Sequence, residues 1–237
     1  MDGLEKTGDI VLCSADFPHA MESLLPTDFK HGKYTPAKVK DLDYACSAFV
    51  LYLGLDTRDF PGLNIHSMVF SGDFMGNLKD IFDGRFPADP SIYVYAPALL
   101  DEDLAPDGQL GLYVLTPVPN LKDGPLDWAD PSVVAGYRKQ ALDKVKEIVP
   151  LKDFEEHIIF EKAYTPVDFK DDFNAVFGAT FGLRPTLLQS NYWRPQAKAM
   201  NYENLYFAGS SAHPGAGVPI VLNSAKLGVQ EIVRDYK

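Results

Sequence analysis

Asn204-Leu205-Tyr206-Phe207-Ala208-Gly209-Ser210-Ser211-Ala212-His213-Pro214-Gly215-Ala216-Gly217-Val218-Pro219 leads into Ile220–Tyr236 near the end of the 237-residue chain. Leu205 to Ala208 is a short apolar run that stops at a glycine, as a buried strand does. The turn after it holds three glycines, two prolines and two serines. Pro219 then opens a segment with Val221, Ala225, Gly228 and Ile232 on one helical face, and proline favours a first helical turn. Strand, glycine-rich turn and helix N-terminus together aim free backbone N–H groups and a helix dipole at whatever lies in front. The expected occupant is electron-rich: a phosphate, a carboxylate or the carbonyl edge of a flavin. A tight strand-to-helix connection with no ligand accounts for the same residues.

The turn matches neither G-x-G-x-x-G nor the P-loop pattern. His213 could serve as a base, a metal ligand or a hydrogen-bonded turn residue. No second His or Cys stands at ligand spacing, so no metal is expected. Ser210 and Ser211 lie outside a G-x-S-x-G elbow, which gives hydrolase chemistry little support. Glu203 to Gly209 reads ENLYFAG, close to an engineered protease site. Alanine stands where that site needs glutamine, and the strand pattern runs through it, so the stretch reads as native.

Outward from this stretch, composition sets bounds. A chain of this length can bury a real core in one or two domains. Hydrophobic content of 46% and charged content of 23% are ordinary for a globular protein. No apolar run approaches membrane-spanning length, and the start lacks the basic-then-apolar order of a signal peptide. Cys13 and Cys46 fit a reduced, cytoplasmic protein better than a disulfide scaffold or a zinc site. The formal charge of −11 argues against nucleic acid and against tight electrostatic docking on anionic lipid. Hydrophobic contact with a bilayer stays open.

Taken in order, Gly8–Asp16 reads as a buried strand. A chain opening so near a core strand is expected to be part of something longer. Pro18–Leu25 reads as a short helix, and Pro26–Lys40, with Lys30, Lys33, Lys38 and Lys40, as a loop. Ala45–Leu55 reads as a central strand and His66–Phe70 as another. Asp73 looks like an N-cap before Phe74, Leu78, Ile81 and Phe82, with Gly84 as stop. Ile92–Ala96 and Leu110–Thr116 are further strands, parted by a solvated acidic loop at Asp101, Glu102, Asp103 and Asp107. Asp130-Pro131 starts the clearest helix, with Val134, Tyr137, Ala141, Leu142, Val145 and Ile148 at its spacing and Pro150 as its end. His157–Ala163 is a strand.

From Thr165 the texture turns aromatic and glycine-rich. Phe177, Phe181, Gln189, Tyr192 and Trp193 are candidates for a slot holding a long apolar ligand, although such aromatics are more often core. Arg184 and Arg194 each precede a proline. A buried arginine must be paired, so an ion pair is the default reading and an anion or cofactor contact the sharper one. The fold class expected is α/β (α+β): a mainly antiparallel sheet with helices on one face, plus a strand and a strand–turn–helix of the parallel type that could pair in a smaller domain.

The terminal stretch resembles the C-terminal signature of the carotenoid desaturases, the phytoene and dehydrosqualene (diapophytoene) enzymes of the wider amine-oxidase-like flavoprotein group. Asn204–Gly209, His213-Pro214-Gly215-Ala216-Gly217-Val218-Pro219 and Ser224-Ala225-Lys226-Leu227 carry the resemblance. Thr186-Leu187-Leu188-Gln189-Ser190 with Arg194-Pro195, Phe177-Gly178, Phe181-Gly182-Leu183, Asp89–Val94, Tyr113-Val114-Leu115 with Pro117-Val118-Pro119, and Tyr52–Asp56 extend it over nearly the whole chain.

The resemblance implies a C-terminal half, because the family's N-terminal glycine fingerprint for FAD is missing here. It implies a returning strand of a discontinuous Rossmann-like FAD-binding domain in residues 1–25, a substrate-binding domain in 26–175 and a C-terminal FAD-binding segment in 176–237. FAD contacts are implied for Gly209, Ser210, His213, Pro214, Gly215, Gly217, Val218 and Pro219. Many relatives in the wider group place an acid where Ser210 stands, so the transfer holds for the carotenoid branch rather than for amine oxidases.

The implied reaction takes two hydrogens from a saturated C–C unit of a long isoprenoid, with hydride passing to flavin. No catalytic acid or base is nominated. The implied parent is cytoplasmic with transient membrane-surface contact. The implied partners are the missing N-terminal half and a carotenoid-type substrate, with no nucleic acid. Exposed strand faces predict self-association into a homo-oligomer, and the isolated chain is expected to be inactive. The alternative is a non-catalytic isoprenoid-binding module, as in the Rab-escort and GDP-dissociation-inhibitor type.

Overall fold

A computed structural model describes residues 5–26, 28–124, 126–149, 151 and 153–237. The chain divides into two compact units. Unit one comprises residues 1–45, 174–176 and 181–237, and unit two comprises 46–173 and 177–180.

Unit two is built on five antiparallel strands in the order β3-β4-β5-β2-β6. These are β2 (Ser47–Leu55), β3 (His66–Val69), β4 (Ile92–Tyr95), β5 (Leu110–Val118) and β6 (Ile158–Tyr164). β5 alternates buried and half-buried residues throughout, as a strand with one face on the core must. The central strand β2 is buried at every position but Tyr52 and Gly54. Phe49, Leu51, Leu53 and Leu55 form one core with Leu110, Leu112 and Val114 of β5. Helix α4 (Pro131–Ile148) adds Tyr137, Ala141, Leu142 and Val145 to that core. Asp130 caps it by accepting from the Ser132 N–H at 2.8 Å. Pro150, the expected stop, lies outside the described residues. Helix α3 (Phe74–Phe82) starts as expected, with Asp73 accepting from Gly76 N–H at 2.9 Å. The acidic loop is exposed, and Glu102 pairs with Arg58 at 3.4 Å.

Unit one centres on two parallel strands, β1 (Val11–Cys13) and β7 (Leu205–Phe207), paired Val11 to Leu205 through Cys13 to Phe207. α1 (Phe17–His19) runs on into a π-helical turn, Ala20–Leu24. Phe17, Ala20, Met21, Phe29, Val39, Leu205, Phe207 and Ala212 share its core. Cys13 is free. The antiparallel sheet with helices and the short parallel pair match the expected fold class.

Several local expectations differ. β1 is not buried: Val11 is 47% and Leu12 43% exposed. A two-stranded sheet packed by one helix leaves that strand's side chains open. Residues 26–45, expected within the substrate-binding domain and over 26–40 as a loop, group with unit one. They include helix α2 (Pro36–Asp41), which Thr35 caps from Lys38 N–H at 3.3 Å. Val39 is the residue that α2 buries, anchoring it in the unit-one core. The last helix, α6 (Val218–Asp235), buries Ser224 and Gly228 rather than Ala225, which is exposed. A Cβ at Gly228 would stand 3.7 Å from Leu12 and 3.9 Å from the Phe207 carbonyl. This face of α6 therefore packs at ordinary contact distance on β1 and β7.

Candidate functional site

The quoted turn is held from behind by four groups of unit one. The Gly209 N–H donates to the Ser224 hydroxyl of α6 at 3.2 Å, and the His213 N–H to the Pro195 carbonyl at 2.7 Å. The Ser211 hydroxyl donates to Asp16 at 2.6 Å while accepting from Phe17 N–H at 2.9 Å. Asp16 also accepts from Val176 N–H at 3.1 Å. Burial pushes the Asp16 carboxyl above its ordinary range, against the opposing pull of the Ser211 hydrogen bond.

Arg194 is the fourth. It is 2% exposed and donates to the carbonyls of Ser210 (2.7 Å), Ala212 (3.0 Å), Leu183 (3.2 Å) and Gln189 (3.4 Å). The expected ion pair is absent among the described residues. Backbone carbonyls replace the carboxylate, because the turn presents them where the guanidinium fork can reach several at once. Burial draws the guanidinium below its ordinary range.

The polarity of the turn follows. Carbonyls of Ser210 and Ala212 point inward to Arg194, whereas the N–H groups of Gly215, Ala216 and Gly217 find no acceptor among the described residues. Gly209, Gly215 and Gly217 take φ of 139°, 143° and 105°, a region that side chains resist. The His213–Pro214 peptide is cis, and the His213 Nδ1 is buried with no partner. Gly217, Val218 and Pro219 at the N-terminus of α6 are exposed. A donor-rich surface with an unused imidazole nitrogen suits an electron-rich ligand. No cluster of metal-ligating residues occurs among the described residues.

Four of the five candidate slot residues belong to unit one and Phe177 to unit two. Tyr192 and Trp193 line one cavity of unit one. Gln189 is buried, accepting from Asp43 N–H at 2.9 Å and donating to the Asp43 and Arg184 carbonyls. Its amide is spent on structure. Phe181 is 41% exposed, and Phe177 belongs to unit two, under Lys122.

An apolar surface that sequence reading missed lies on the sheet face opposite α4. Tyr52 and Tyr113 face each other across β2 and β5, with ring centroids 5.5 Å apart. Tyr93 and Tyr95 of β4 and Phe160 of β6 complete a groove of about 540 Å³. Gly54 and Gly111 are cross-strand partners that leave its floor bare, and a Cβ at Gly111 would meet nothing within 4 Å. Burial first, then neighbouring phenols, push Tyr113 up to about 12, so its hydroxyl is neutral at physiological pH. The period-2 alternation of β5 was the signal available in sequence: Gly111, Tyr113 and Leu115 share one face.

The chain is 48% identical over 241 residues to a 4,4'-diapophytoene desaturase (4,4'-diaponeurosporene-forming) of Staphylococcus haemolyticus, and 48% identical over 242 residues to that of Staphylococcus aureus. Both matches cover 100% of this chain and 48% of the relative. By sequence, the chain is similar along its whole length to these two desaturases. It spans about half the length of the curated relatives it matches. No family profile matches. Among solved structures, an oxidoreductase from Methanosarcina mazei has a similar fold, with a TM-score of 0.56 at 15% identity over 98% of this chain and 44% of that one. The PF1083 protein of Pyrococcus furiosus gives 0.52 at 13% identity, over 98% and 42%.

Proposed function

We propose that this chain is the C-terminal portion of an FAD-dependent desaturase acting on a long isoprenoid of the diapophytoene type. The identity of 48% in a match that covers the whole chain carries the reading. The bound flavin would supply the hydride acceptor. In this chain Gly209, Ser210, His213, Pro214, Gly215, Gly217, Val218 and Pro219 would hold it, through N–H groups without an intramolecular acceptor and the positive end of α6. Arg194 and Asp16 fix the turn through the Ser210 carbonyl and the Ser211 hydroxyl.

The tyrosine-lined groove is the second half of the proposal. Its wall of ring faces and bare glycine backbone offers a hydrocarbon close packing without desolvating a charge. A rigid sheet can align such a chain, and alignment is most of what a protein must supply when a cofactor carries the chemistry. A hydrocarbon substrate reaches such a groove from lipid. The longer protein is therefore proposed to be cytoplasmic with transient contact at a membrane surface. No helix among the described residues is long and apolar enough to cross one. The non-catalytic carrier reading has no observation in its favour.

The test uses the longer protein containing this chain, supplied with FAD and 4,4'-diapophytoene. The expected result is FAD-dependent appearance of the visible absorption of a conjugated polyene. Absence of that product, with flavin bound stoichiometrically, would sink the activity. For the isolated chain, purification is expected to give no stoichiometric flavin absorbance.

A further inference from the structure

We propose that unit one carries a second binding site, for a single-headed anionic amphiphile, in the cavity lined by Tyr192 and Trp193. The cavity holds about 310 Å³, within the size range of small-ligand sites, roughly 300–1,000 Å³. Phe17, Met21, Phe29 and Phe207 give it an apolar wall. Lys30, Lys33, Lys198 and Arg194 line it too, and no Asp or Glu does, in a chain with 33 acids against 22 Lys and Arg. A −11 protein that gathers four cations around one apolar hollow, with no acid among them, has made a local exception to its own charge.

Two of these cations are already engaged. Lys198 pairs with Asp235 at 2.6 Å, and Arg194 holds the turn carbonyls. Lys30 and Lys33 form no ion pair with a described residue. The Lys33 ammonium sits 4.9 Å from the Tyr34 ring centre and 5.7 Å from that of Trp193, which places its charge at the aromatic wall. His31, also in the lining, buries its Nδ1 with no hydrogen-bond partner. Lys33 Nζ donates to the Trp193 carbonyl at 3.4 Å, which leaves its charge uncompensated. Two ammoniums without a counter-charge point to a missing anion, and the orphaned nitrogen of His31 lies in the same lining. The neutral hydrocarbon proposed for the tyrosine groove gains nothing from them, so this cavity answers to a different ligand. The proposal stands independently of the desaturase reading.

The test is calorimetric titration of the 237-residue chain with monomeric dodecanoate and, separately, dodecanol. Saturable one-site binding of dodecanoate is expected, with dodecanol about fivefold weaker or worse. That is the order of effect expected from two partly exposed charges. The double variant Lys30→Gln/Lys33→Gln should lose about the same factor for the anion and leave dodecanol unchanged. Lys38→Gln/Lys40→Gln alters two lysines outside the lining and should change neither. Equal affinity for acid and alcohol, no saturable binding of dodecanoate, or an equal loss in the two double variants would each overturn the site. A vesicle arm separates a lipid surface from a free amphiphile. If Lys30→Gln/Lys33→Gln weakens binding to phosphatidylglycerol vesicles while dodecanoate does not bind, the lysines serve a membrane surface and the cavity proposal fails.

Discussion

Arg194 shows how one side chain sets the polarity of a loop. Its four donor contacts are all to backbone carbonyls, so removing it strands acceptors in a buried place. Arg194→Met is expected to destabilise unit one by about 3 kcal/mol or more, and Arg194→Lys by less, read from urea midpoints. Asp16 supplies a pH dependence. Its folded carboxyl lies above the ordinary value of 3.8, raised by burial. Its contribution to stability is therefore full below about 3.8 and is lost as pH rises through the folded value. Asp16→Asn cannot ionise, so its stability relative to the parent should rise with pH across that window. A pH-independent difference between the two would contradict it. Sequence made the glycine turn and His213 legible because glycine and proline mark backbone geometry directly. It could not show the carbonyl cage around Arg194, since any residue supplies a carbonyl and the chain folds four separate ones into reach.

At the scale of elements, capping aspartates were readable and exposure was not. Asp73 and Asp130 stand where an acid followed by a helical apolar pattern predicts them. Asp73→Ala should cost about 1 kcal/mol, measured by thermal or urea unfolding. α2 escaped notice because six residues that bury little beyond Val39 carry no period to read. The tyrosine groove depends on strand pairing: Tyr52 meets Tyr113 only once β2 and β5 are in register. The Gly54–Gly111 pair invites a test there. Gly111→Leu introduces a side chain with no steric clash at its Cβ and fills the groove. Polyene formation by the longer protein should fall about tenfold or more while flavin absorbance stays.

At the scale of the whole molecule, sequence predicted exposed strand faces; β1 has one, and the helix α6 adds further exposed apolar residues. Val11 and Leu12, and separately Val218, Ile220, Leu222, Val229 and Val233, are exposed apolar residues of unit one. Light scattering of the isolated chain is expected to rise with concentration, and Leu12→Lys should suppress that rise by placing charge on the strand. A clean monomer at high concentration would count against it. The cavity lining was illegible at this scale for a simple reason: its walls come from residues 17–21, 29–34, 192–200 and 207, which no local window contains.

The two tryptophans add a consequence for experiment. Trp128 belongs to unit two and is 8% exposed, while Trp193 belongs to unit one and is 52% exposed. Each unit thus carries its own fluorophore, one shielded and one open to a collisional quencher such as iodide. Emission selected by quenching follows the melting of each unit separately in the unmodified protein. Single-tryptophan variants, Trp128→Phe and Trp193→Phe, would then report whether the chain unfolds in one step or two.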